Sequence, residues 1–261
     1  TLGRAALLER LHRRGINDFR AVRPSADLER LRYPVFVRRA SDHLGPLTGL
    51  LETPEQVRAA VARAEALGLD DLLVVEFADT ADRAGVYVKY QTYVVGDRVV
   101  ASFVLASRGW MVKYAASERT ARVARMGARH IRRTPHENEL RAVFTVAGAE
   151  YGRVDFSLGP DGRLRIWEVN LCPMIVPPRS GAVDSVPEAA RPDWRRARRA
   201  FLIRFVDALQ ALDGDRSAGS DLQFTVPGEI RALSRRELSE SGGGAGLLKL
   251  LRAKHHFLQQ W

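Results

Sequence analysis

The sequence is poor in cysteine and lacks long apolar runs. It contains a single cysteine, Cys172, so an intrachain disulfide is excluded and a reducing, cytoplasmic setting is expected. No uninterrupted apolar stretch approaches the ~20 residues that a membrane-spanning helix requires, and no signal peptide is visible. These absences argue against a disulfide scaffold and against an integral membrane protein.

Lysine is also scarce. Four of the 41 basic residues are lysines, at positions 89, 113, 249 and 254, and the 31 acidic residues leave a net charge of +10. One explanation is a general excess of arginine, which together with abundant Ala, Gly and Leu is typical of a GC-rich genome. The other explanation is an anionic ligand, such as a nucleotide, a phosphorylated substrate or nucleic acid. The charge by itself leaves both explanations open.

The length and the order of the predicted elements indicate an α+β protein. The 261 residues, 46% hydrophobic and 28% charged, suffice for one large or two small domains. Helices and strands are mixed without strict βαβ alternation, which favours α+β layers with antiparallel sheet. Helices are predicted at 4–14, 54–67 and about 193–212, and strands at 33–40, 72–76, 86–95 and 98–105.

Short local signals mark several boundaries. Residues 53–56, Thr-Pro-Glu-Gln, form a capping box with proline at the first helical position. Residues 134–137, Thr-Pro-His-Glu, predict a second capping box that opens another helix. Gly96 and Asp97 predict a two-residue hairpin turn between two strands.

Residues 152–173, GRVDFSLGPDGRLRIWEVNLCP, are typical of a β-hairpin. If Leu158 pairs with Arg163 across the turn, residue 155 faces residue 166 and residue 153 faces residue 168. Because side chains alternate along a strand, this register predicts one polar and one apolar face. The polar face would carry Arg153, Asp155, Ile166, Glu168 and Asn170, and the apolar face Val154, Phe156, Trp167 and Val169.

The polar face of the hairpin is unusually acidic. In the predicted register Asp155 and Glu168 are diagonal neighbours, ~7–8 Å apart along the backbone. Two carboxylates at that distance repel each other unless a cation lies between them. Carboxylate and amide oxygens are ligands that Mg²⁺ accepts while it keeps positions for phosphate oxygens. A metal site is one interpretation, and a solvated outer face with an Arg153–Glu168 ion pair is the other.

The hairpin resembles the signature of the ATP-grasp superfamily: an acidic strand, a turn, and a strand that ends in Glu-x-Asn with a proline shortly after. The pieces RVDF and E-x-N-x-x-P are similar to the D-alanine–D-alanine ligase type. The resemblance implies an α+β fold of two subdomains with ATP bound between their antiparallel sheets. It implies that Asp155, Glu168 and Asn170 hold two Mg²⁺ ions, with Mn²⁺ as the alternative metal, and that Arg153 stabilises charge on the tetrahedral intermediate.

The resemblance also assigns residues to ATP. Arg38, in PVFVRRA, stands where the family normally has a lysine on the α- and β-phosphates, and it keeps the charge with a different geometry. Residues 41–49 take the place of the loop that covers the phosphates. Lys113 matches a lysine that reaches the terminal phosphate, and Lys89 lies near the ribose position. The hinge that would bind adenine contains Glu76, Phe77 and Ala78.

The expected domain organisation follows from this resemblance. Residues 1–19 form an N-terminal helix, 20–75 the small subdomain, and 76–212 the large subdomain with the metal-binding hairpin. Residues 213–261 are an extension of unknown role, with linkers and a terminal amphipathic helix. The family usually carries an N-terminal domain before this region, which helps to bind the acceptor substrate, and this sequence lacks it.

The function implied is that of an ATP-dependent carboxylate–amine ligase that works through an acyl phosphate. Its partners would be small-molecule or peptide carboxylates and amines, without a membrane and without nucleic acid. Two alternatives remain. One is an ATP-grasp kinase for a small molecule, which would share the nucleotide contacts. The other is a non-catalytic module that binds a nucleotide, or binds nucleic acid through its basic surface.

Three candidates could close the acceptor site: the residues from 180 onward, a second copy of the chain in a homo-oligomer, or sequence upstream of Thr1. In the first case the helix Asp193–Leu212 should pack Trp194 and Phe205 inward. It should also turn some of the arginines at 195, 196 and 199 towards the cleft, where they would favour an acidic acceptor.

Overall fold

The structure, a computed structural model, describes residues 2–42, 45–114, 116–173, 175 and 186–213. The described residues belong to one compact unit. Apart from residue 213, the predicted C-terminal extension lies outside the described residues, and so do positions 43 and 44 of the predicted phosphate-covering loop.

The described residues form helices and strands in mixed order. The α-helices are α1 (Arg4–Arg13), α2 (Pro54–Ala66), α3 (Ala121–Arg133), α4 (Glu137–Ala147) and α5 (Arg191–Gln210). The strands are β1 (Ala21–Val22), β2 (Val35–Arg39), β3 (Leu72–Glu76), β4 (Tyr87–Val95), β5 (Arg98–Ser107), β6 (Tyr151–Leu158) and β7 (Leu164–Asn170). None of the helices in this part of the chain is both long enough and apolar enough to cross a bilayer.

The strands build two antiparallel sheets. The smaller sheet has the order β1-β3-β2 and the larger one the order β5-β4-β6-β7. All described strand pairs within the sheets are antiparallel, and β4 and β5 are joined by the two-residue turn at Gly96 and Asp97. The predicted fold class, α+β with two antiparallel sheets, is therefore confirmed.

The small sheet packs against α2, whose start follows the predicted capping box. The Thr53 side chain accepts a hydrogen bond from the Gln56 backbone N–H, and the Gln56 side chain accepts one from the Glu52 backbone N–H at 2.7 Å. Alternate residues of β2 and β3 then bury one face against α2. This apolar core contains Val35, Val37, Val57, Val61, Leu72 and Val74.

The second predicted capping box is wrong. Thr134 ends the preceding helix α3, in a left-handed conformation with φ of 41°, and does not open α4. His136 precedes α4, also with positive φ, and its side chain makes no capping hydrogen bond. The reason is that α3, which the sequence analysis did not predict, occupies the residues directly before Thr134.

The hairpin of β6 and β7 forms as predicted, but its register differs. Leu158 pairs with Leu164, so the turn has five residues instead of four, and the Gly159 N–H donates to the Arg163 carbonyl at 2.9 Å. Farther along, Phe156 pairs with Ile166 while Asp155 pairs with Glu168, which leaves Trp167 as the extra residue of a β-bulge.

Because of the bulge, two residues lie on the opposite face of the hairpin from the one predicted. Ile166 lies with Phe156 on the apolar face, where both are completely buried in the core. Trp167 instead lies on the polar face, and its indole N–H donates to the Ser157 hydroxyl at 2.9 Å. One residue inserted into a strand reverses the face of its neighbours because the side-chain period is two.

Helix α1 packs beside the hairpin. Its leucines at positions 7, 8 and 11 are buried in the same core as β6, β7 and α4. Helix α5 covers another part of the large sheet, where Phe201 and Phe205 contact Tyr93 with ring centroids 5.6 and 4.8 Å apart. Helix α1 contacts β1 of the small sheet as well as β7 of the large one, so it connects the two sheets.

Candidate functional site

A cleft lies between the two sheets. The small sheet contributes residues of β2 and β3, and the large sheet contributes residues of β4, β6 and β7. The segment from Trp110 to Lys113, which follows β5, closes one side. The side chains that line the cleft fall into an aromatic group and a charged group.

Strand alternation decides which residues of the small sheet reach the cleft. Phe36 and Arg38 of β2 line it, whereas Val35 and Val37 lie in the core on the opposite face. The same alternation continues at the end of β3, where Val75 lines the cleft and the chain then passes to Phe77 and Ala78.

Glu76 follows the same rule and lies on the face away from the cleft. Its carboxylate is buried and accepts hydrogen bonds from the Arg20 side chain at 2.7 Å, the Arg20 backbone N–H at 2.8 Å and the Arg32 backbone N–H at 2.8 Å. The structure therefore brings Phe77 and Ala78 to the cleft but not the Glu76 carboxylate.

The aromatic group is a set of mutually packed rings. Trp110 contacts Phe36 and Phe77, with ring centroids 5.0 and 5.9 Å apart, and Phe77 also contacts Tyr87 at 6.5 Å. Trp167 lines the cleft as well and stacks on Phe19 at 5.2 Å. Flat rings at the edge of a cleft offer surfaces on which a planar heterocycle can stack.

The charged group is centred on Asp155. This carboxylate is 2% exposed and accepts from the Lys89 ammonium at 3.1 Å, from Arg153 Nε at 2.8 Å and from the Gln91 amide at 3.2 Å. Burial lowers the pKa of Arg153, but the hydrogen bond to Asp155 and the negative charges of Asp155, Tyr93 and Glu168 together outweigh that effect, so the pKa is raised.

Glu168 lies directly opposite Asp155 in the neighbouring strand and forms an ion pair with Arg4. Arg4 also donates to the backbone carbonyls of Ala40 and Asp42, each at 2.6 Å. The first residue of α1 therefore joins the β6–β7 hairpin to the start of the predicted phosphate-covering loop. No local sequence signal indicates this contact, because 164 residues separate its partners.

Asn170 completes the predicted metal set. It pairs with Arg153 across the hairpin, on the same face as Asp155 and Glu168, and its side-chain oxygen accepts from the Cys172 backbone N–H at 3.0 Å. Among the described residues, no group of three or more His, Cys, Asp or Glu side chains is placed to hold a metal ion. Two carboxylates and one amide on a common face are nevertheless a hard-oxygen donor set that fits Mg²⁺.

Positive charge dominates the part of the cleft that Arg38, Lys89 and Lys113 line. Arg38 donates to the carbonyls of Arg39 and Asp42, each at 3.1 Å, and burial together with the nearby Arg4 lowers its pKa to about 10. Burial, Lys89 and Arg38 also lower the pKa of Lys113. Cations that depress one another's pKa values are stabilised by an anion between them.

The arginines of α5 do not behave as predicted. Phe205 is buried and Trp194 is half-buried, as expected, but the arginines at 195, 196 and 199 are exposed and do not line the cleft. Arg196 pairs with Asp193 at 2.5 Å, one turn earlier. The buried arginine of this helix is Arg198.

Sequence reasoning missed several lining residues. Trp110 lies three positions before Lys113, in WMVKY, so the motif that indicated the lysine also contained the ring. Phe36 alternates with Arg38 along one strand, which is a second local signal. Arg4 and Phe19 carry no such signal.

Comparison with known proteins gives structural matches. No family model and no curated protein sequence matches the chain. The similar solved structures are ATP-grasp ligases. They include an L-amino acid ligase from Bacillus licheniformis, with 18% identity, a TM-score of 0.40 and coverage of 65% of this chain and 40% of that one.

Two further structures complete the comparison. A D-alanine–D-alanine ligase from Coxiella burnetii has 15% identity and a TM-score of 0.40, covering 80% of this chain and 60% of that one. A macrocyclase from Microcystis aeruginosa, bound with its precursor peptide, has 14% identity and a TM-score of 0.38, covering 73% and 56%. The chain thus spans between 40% and 60% of the length of these proteins.

Proposed function

We propose that this chain binds Mg²⁺–ATP in the cleft and uses it to activate a carboxylate for amide formation. The observation that supports this most directly is the cleft itself. It places a packed group of aromatic rings beside a cluster of cations and two opposed carboxylates. A nucleoside triphosphate with its metal has the same two parts, a flat base and a charged tail.

Different residues are assigned to the base, the phosphates and the metal. Phe77, Ala78 and Trp110 bind the base, and Arg38 and Lys113 bind the phosphates. Asp155, Glu168 and Asn170 hold the metal, which offsets phosphate charge and draws electrons from the transferred group when it is bound. Glu76 orders the hinge through Arg20 and Arg32, and its carboxylate does not touch the base.

The proposed reaction has two steps. A substrate carboxylate oxygen attacks the γ-phosphorus, the bond from phosphorus to the β–γ bridging oxygen breaks, and ADP leaves. An amine then attacks the carbonyl carbon of the acyl phosphate, loses a proton, and expels inorganic phosphate from the tetrahedral intermediate. Arg153, whose guanidinium is already held by Asp155, stabilises the negative charge that develops on that intermediate.

Calorimetric titration of the folded chain with a non-hydrolysable ATP analogue, with and without Mg²⁺, tests the first part. We expect binding that the metal strengthens, and a folded sample that binds no analogue would contradict the proposal.

Product analysis with a panel of carboxylates and amines tests the second part. A ligase releases ADP, inorganic phosphate and an amide. ADP with a stable phosphorylated product would instead identify a kinase. Salt-dependent nucleic-acid binding without ATP turnover would identify a non-catalytic module.

A further inference from the structure

A second pocket lies at the edge of the large sheet, outside the nucleotide cleft. Its walls are β5, α3, the start of α5, Tyr114 and the segment from Ser117 to Thr120. We call it the Arg198 pocket, after the α5 arginine that lines it. Nothing in the proposed nucleotide chemistry uses this pocket.

Arg198 is buried without an adequate partner. Its residue is 4% exposed, and its Nε and Nη2 atoms make no hydrogen bond within the described part of the chain. The guanidinium lies over the rings of Phe103 and Phe201, with its carbon 4.5 and 5.4 Å from their centroids. Cation–π contacts offset part of the cost of burying this charge, but they leave its N–H donors unsatisfied.

The rest of the pocket is mainly apolar. Phe103 and Leu105 of β5, Val123 and Ile131 of α3, and Trp194 of α5 line it. Its acidic lining residue, Glu118, lies beside Arg108, with Nε and Oε1 3.8 Å apart. A buried guanidinium with unsatisfied donors in an apolar pocket matches a ligand that has one carboxylate and an apolar body.

The pocket adjoins the nucleotide cleft. Leu105 lines the Arg198 pocket and pairs across the sheet with Lys89, which lines the cleft and binds Asp155. Directly paired residues on neighbouring strands have Cβ atoms ~4.5–5.5 Å apart. Tyr114 likewise lines the pocket and follows Lys113, which lines the cleft. The pocket and the cleft are therefore neighbours along the large sheet.

We propose that the Arg198 pocket binds an organic carboxylate with an apolar side chain and that this molecule is a substrate of the ligase. Arg198 holds a carboxylate that is not the one activated, such as the carboxylate of an amino acid whose amine is the nucleophile. The assignment as substrate rests on the proposed function, whereas the binding of the carboxylate is tested separately.

The test uses the full chain and three simple acids of increasing apolar size: acetate, hexanoate and 3-phenylpropanoate. Binding is measured by calorimetry and by the shift in melting temperature. We expect affinity to rise with the size of the apolar group, and we expect the neutral analogue 3-phenyl-1-propanol to bind at least about tenfold more weakly than 3-phenylpropanoate. Failure of all three acids to bind the folded chain would overturn the proposal.

Substitution of Arg198 separates recognition from packing. Arg198→Met keeps much of the apolar stem and should lower the affinity for 3-phenylpropanoate at least about tenfold, while the ATP analogue still binds as in the parent chain. Arg199→Met removes the same charge from an exposed position of the same helix and should change neither affinity. Equal binding of the acid by the Arg198 variant and the parent would show that Arg198 acts only in packing.

A second variant covers the case in which Arg198→Met does not fold. Gly127 of α3 lines the pocket, and a Cβ added there would lie 3.9 Å from Val104 Cβ, which is an ordinary contact. Gly127→Leu fills the pocket from the other side and leaves Arg198 in place, so it should abolish acid binding. Undiminished acid binding by this variant would contradict the proposal. If the parent chain does not bind the ATP analogue, the proposed function is contradicted instead.

Discussion

Asp155 and Glu168 face each other directly across β6 and β7, although both are carboxylates. Like charges in opposed positions of a sheet destabilise the pair of strands. Here Lys89 and Arg153 bind Asp155, and Arg4 binds Glu168, so the repulsion is offset by cations from three separate elements. A bound divalent metal would offset the same repulsion, which is the basis of the first prediction.

Replacing Glu168 tests the metal assignment. Glu168→Gln removes one charge with little change in volume, so the fold should persist. The Mg²⁺-dependent part of ATP-analogue binding should weaken at least about tenfold, and turnover should be lost. Calorimetry with and without Mg²⁺ measures the effect. Glu139→Gln, on an exposed position of α4, is the matched control. Normal turnover in the Glu168 variant would refute the assignment.

Replacing Lys113 tests the assignment of the phosphate contacts. Lys113→Met keeps the stem of the side chain and removes its charge. We expect affinity for the ATP analogue to fall by about 10- to 100-fold, because a charge-assisted hydrogen bond is lost, while affinity for adenosine stays unchanged. Arg129→Met removes an exposed charge from α3 and serves as the control. An equal loss for adenosine and for the triphosphate analogue would contradict the assignment.

His130 makes stability depend on pH. It is a residue of α3 and is buried against the large sheet, where its Nε2 lies 3.1 Å from the Thr92 hydroxyl and 3.2 Å from the Gln91 carbonyl oxygen. Its pKa is lowered from 6.5 to about 4, chiefly because burial disfavours the charged ring; the hydrogen bond to Gln91 opposes this effect and the charge of His136 adds to it. The folded protein therefore keeps His130 neutral at a pH where the unfolded chain binds a proton.

The consequence is a loss of stability in acid. Above pH 6.5 both states are neutral at His130, and between pH 6.5 and about 4 the free energy of unfolding should fall by about 3 kcal/mol because of this residue. Urea unfolding at a series of pH values measures the slope. His130→Gln, which keeps a polar side chain but does not titrate, should show a shallower slope in that window. Identical slopes for the parent chain and the His130 variant would contradict the assignment of this pH dependence to His130.

Two glycines should respond in opposite directions to alanine. Gly152 of β6 has φ of 152°, and an added Cβ would lie 2.7 Å from the Asn170 carbonyl oxygen. Gly152→Ala should therefore lower the free energy of unfolding by about 2 kcal/mol or more. Gly127→Ala, in the middle of α3 with space for a Cβ, should raise it by about 0.5–1 kcal/mol. Chemical denaturation of both variants measures these changes in the free energy of unfolding. A Gly152 variant as stable as the parent chain would contradict the close approach of the Asn170 carbonyl oxygen.

Local chemistry in the sequence was enough to predict part of the site. The strand Leu72–Glu76 and the turn at Gly96 and Asp97 were predicted at their observed positions, and helix α2 within a residue of its observed end. Each depends on neighbouring residues: a short apolar run, a glycine turn, a capping box. The shared face of Arg153, Asp155, Glu168 and Asn170 was also predicted, since strand alternation is a property of the chain itself.

The tertiary structure alone decided the rest. The hairpin differs from its predicted register by one extra residue in the turn and one in the bulge at Trp167. Because of these insertions, Ile166 and Trp167 lie on the opposite faces from those predicted. The Glu76 carboxylate lies on the face away from the cleft, where its partners Arg20 and Arg32 come from distant parts of the chain. Arg4 reaches Glu168 across 164 positions. Such contacts join residues that are distant in sequence, and a local pattern contains no information about which distant partner will pack against it.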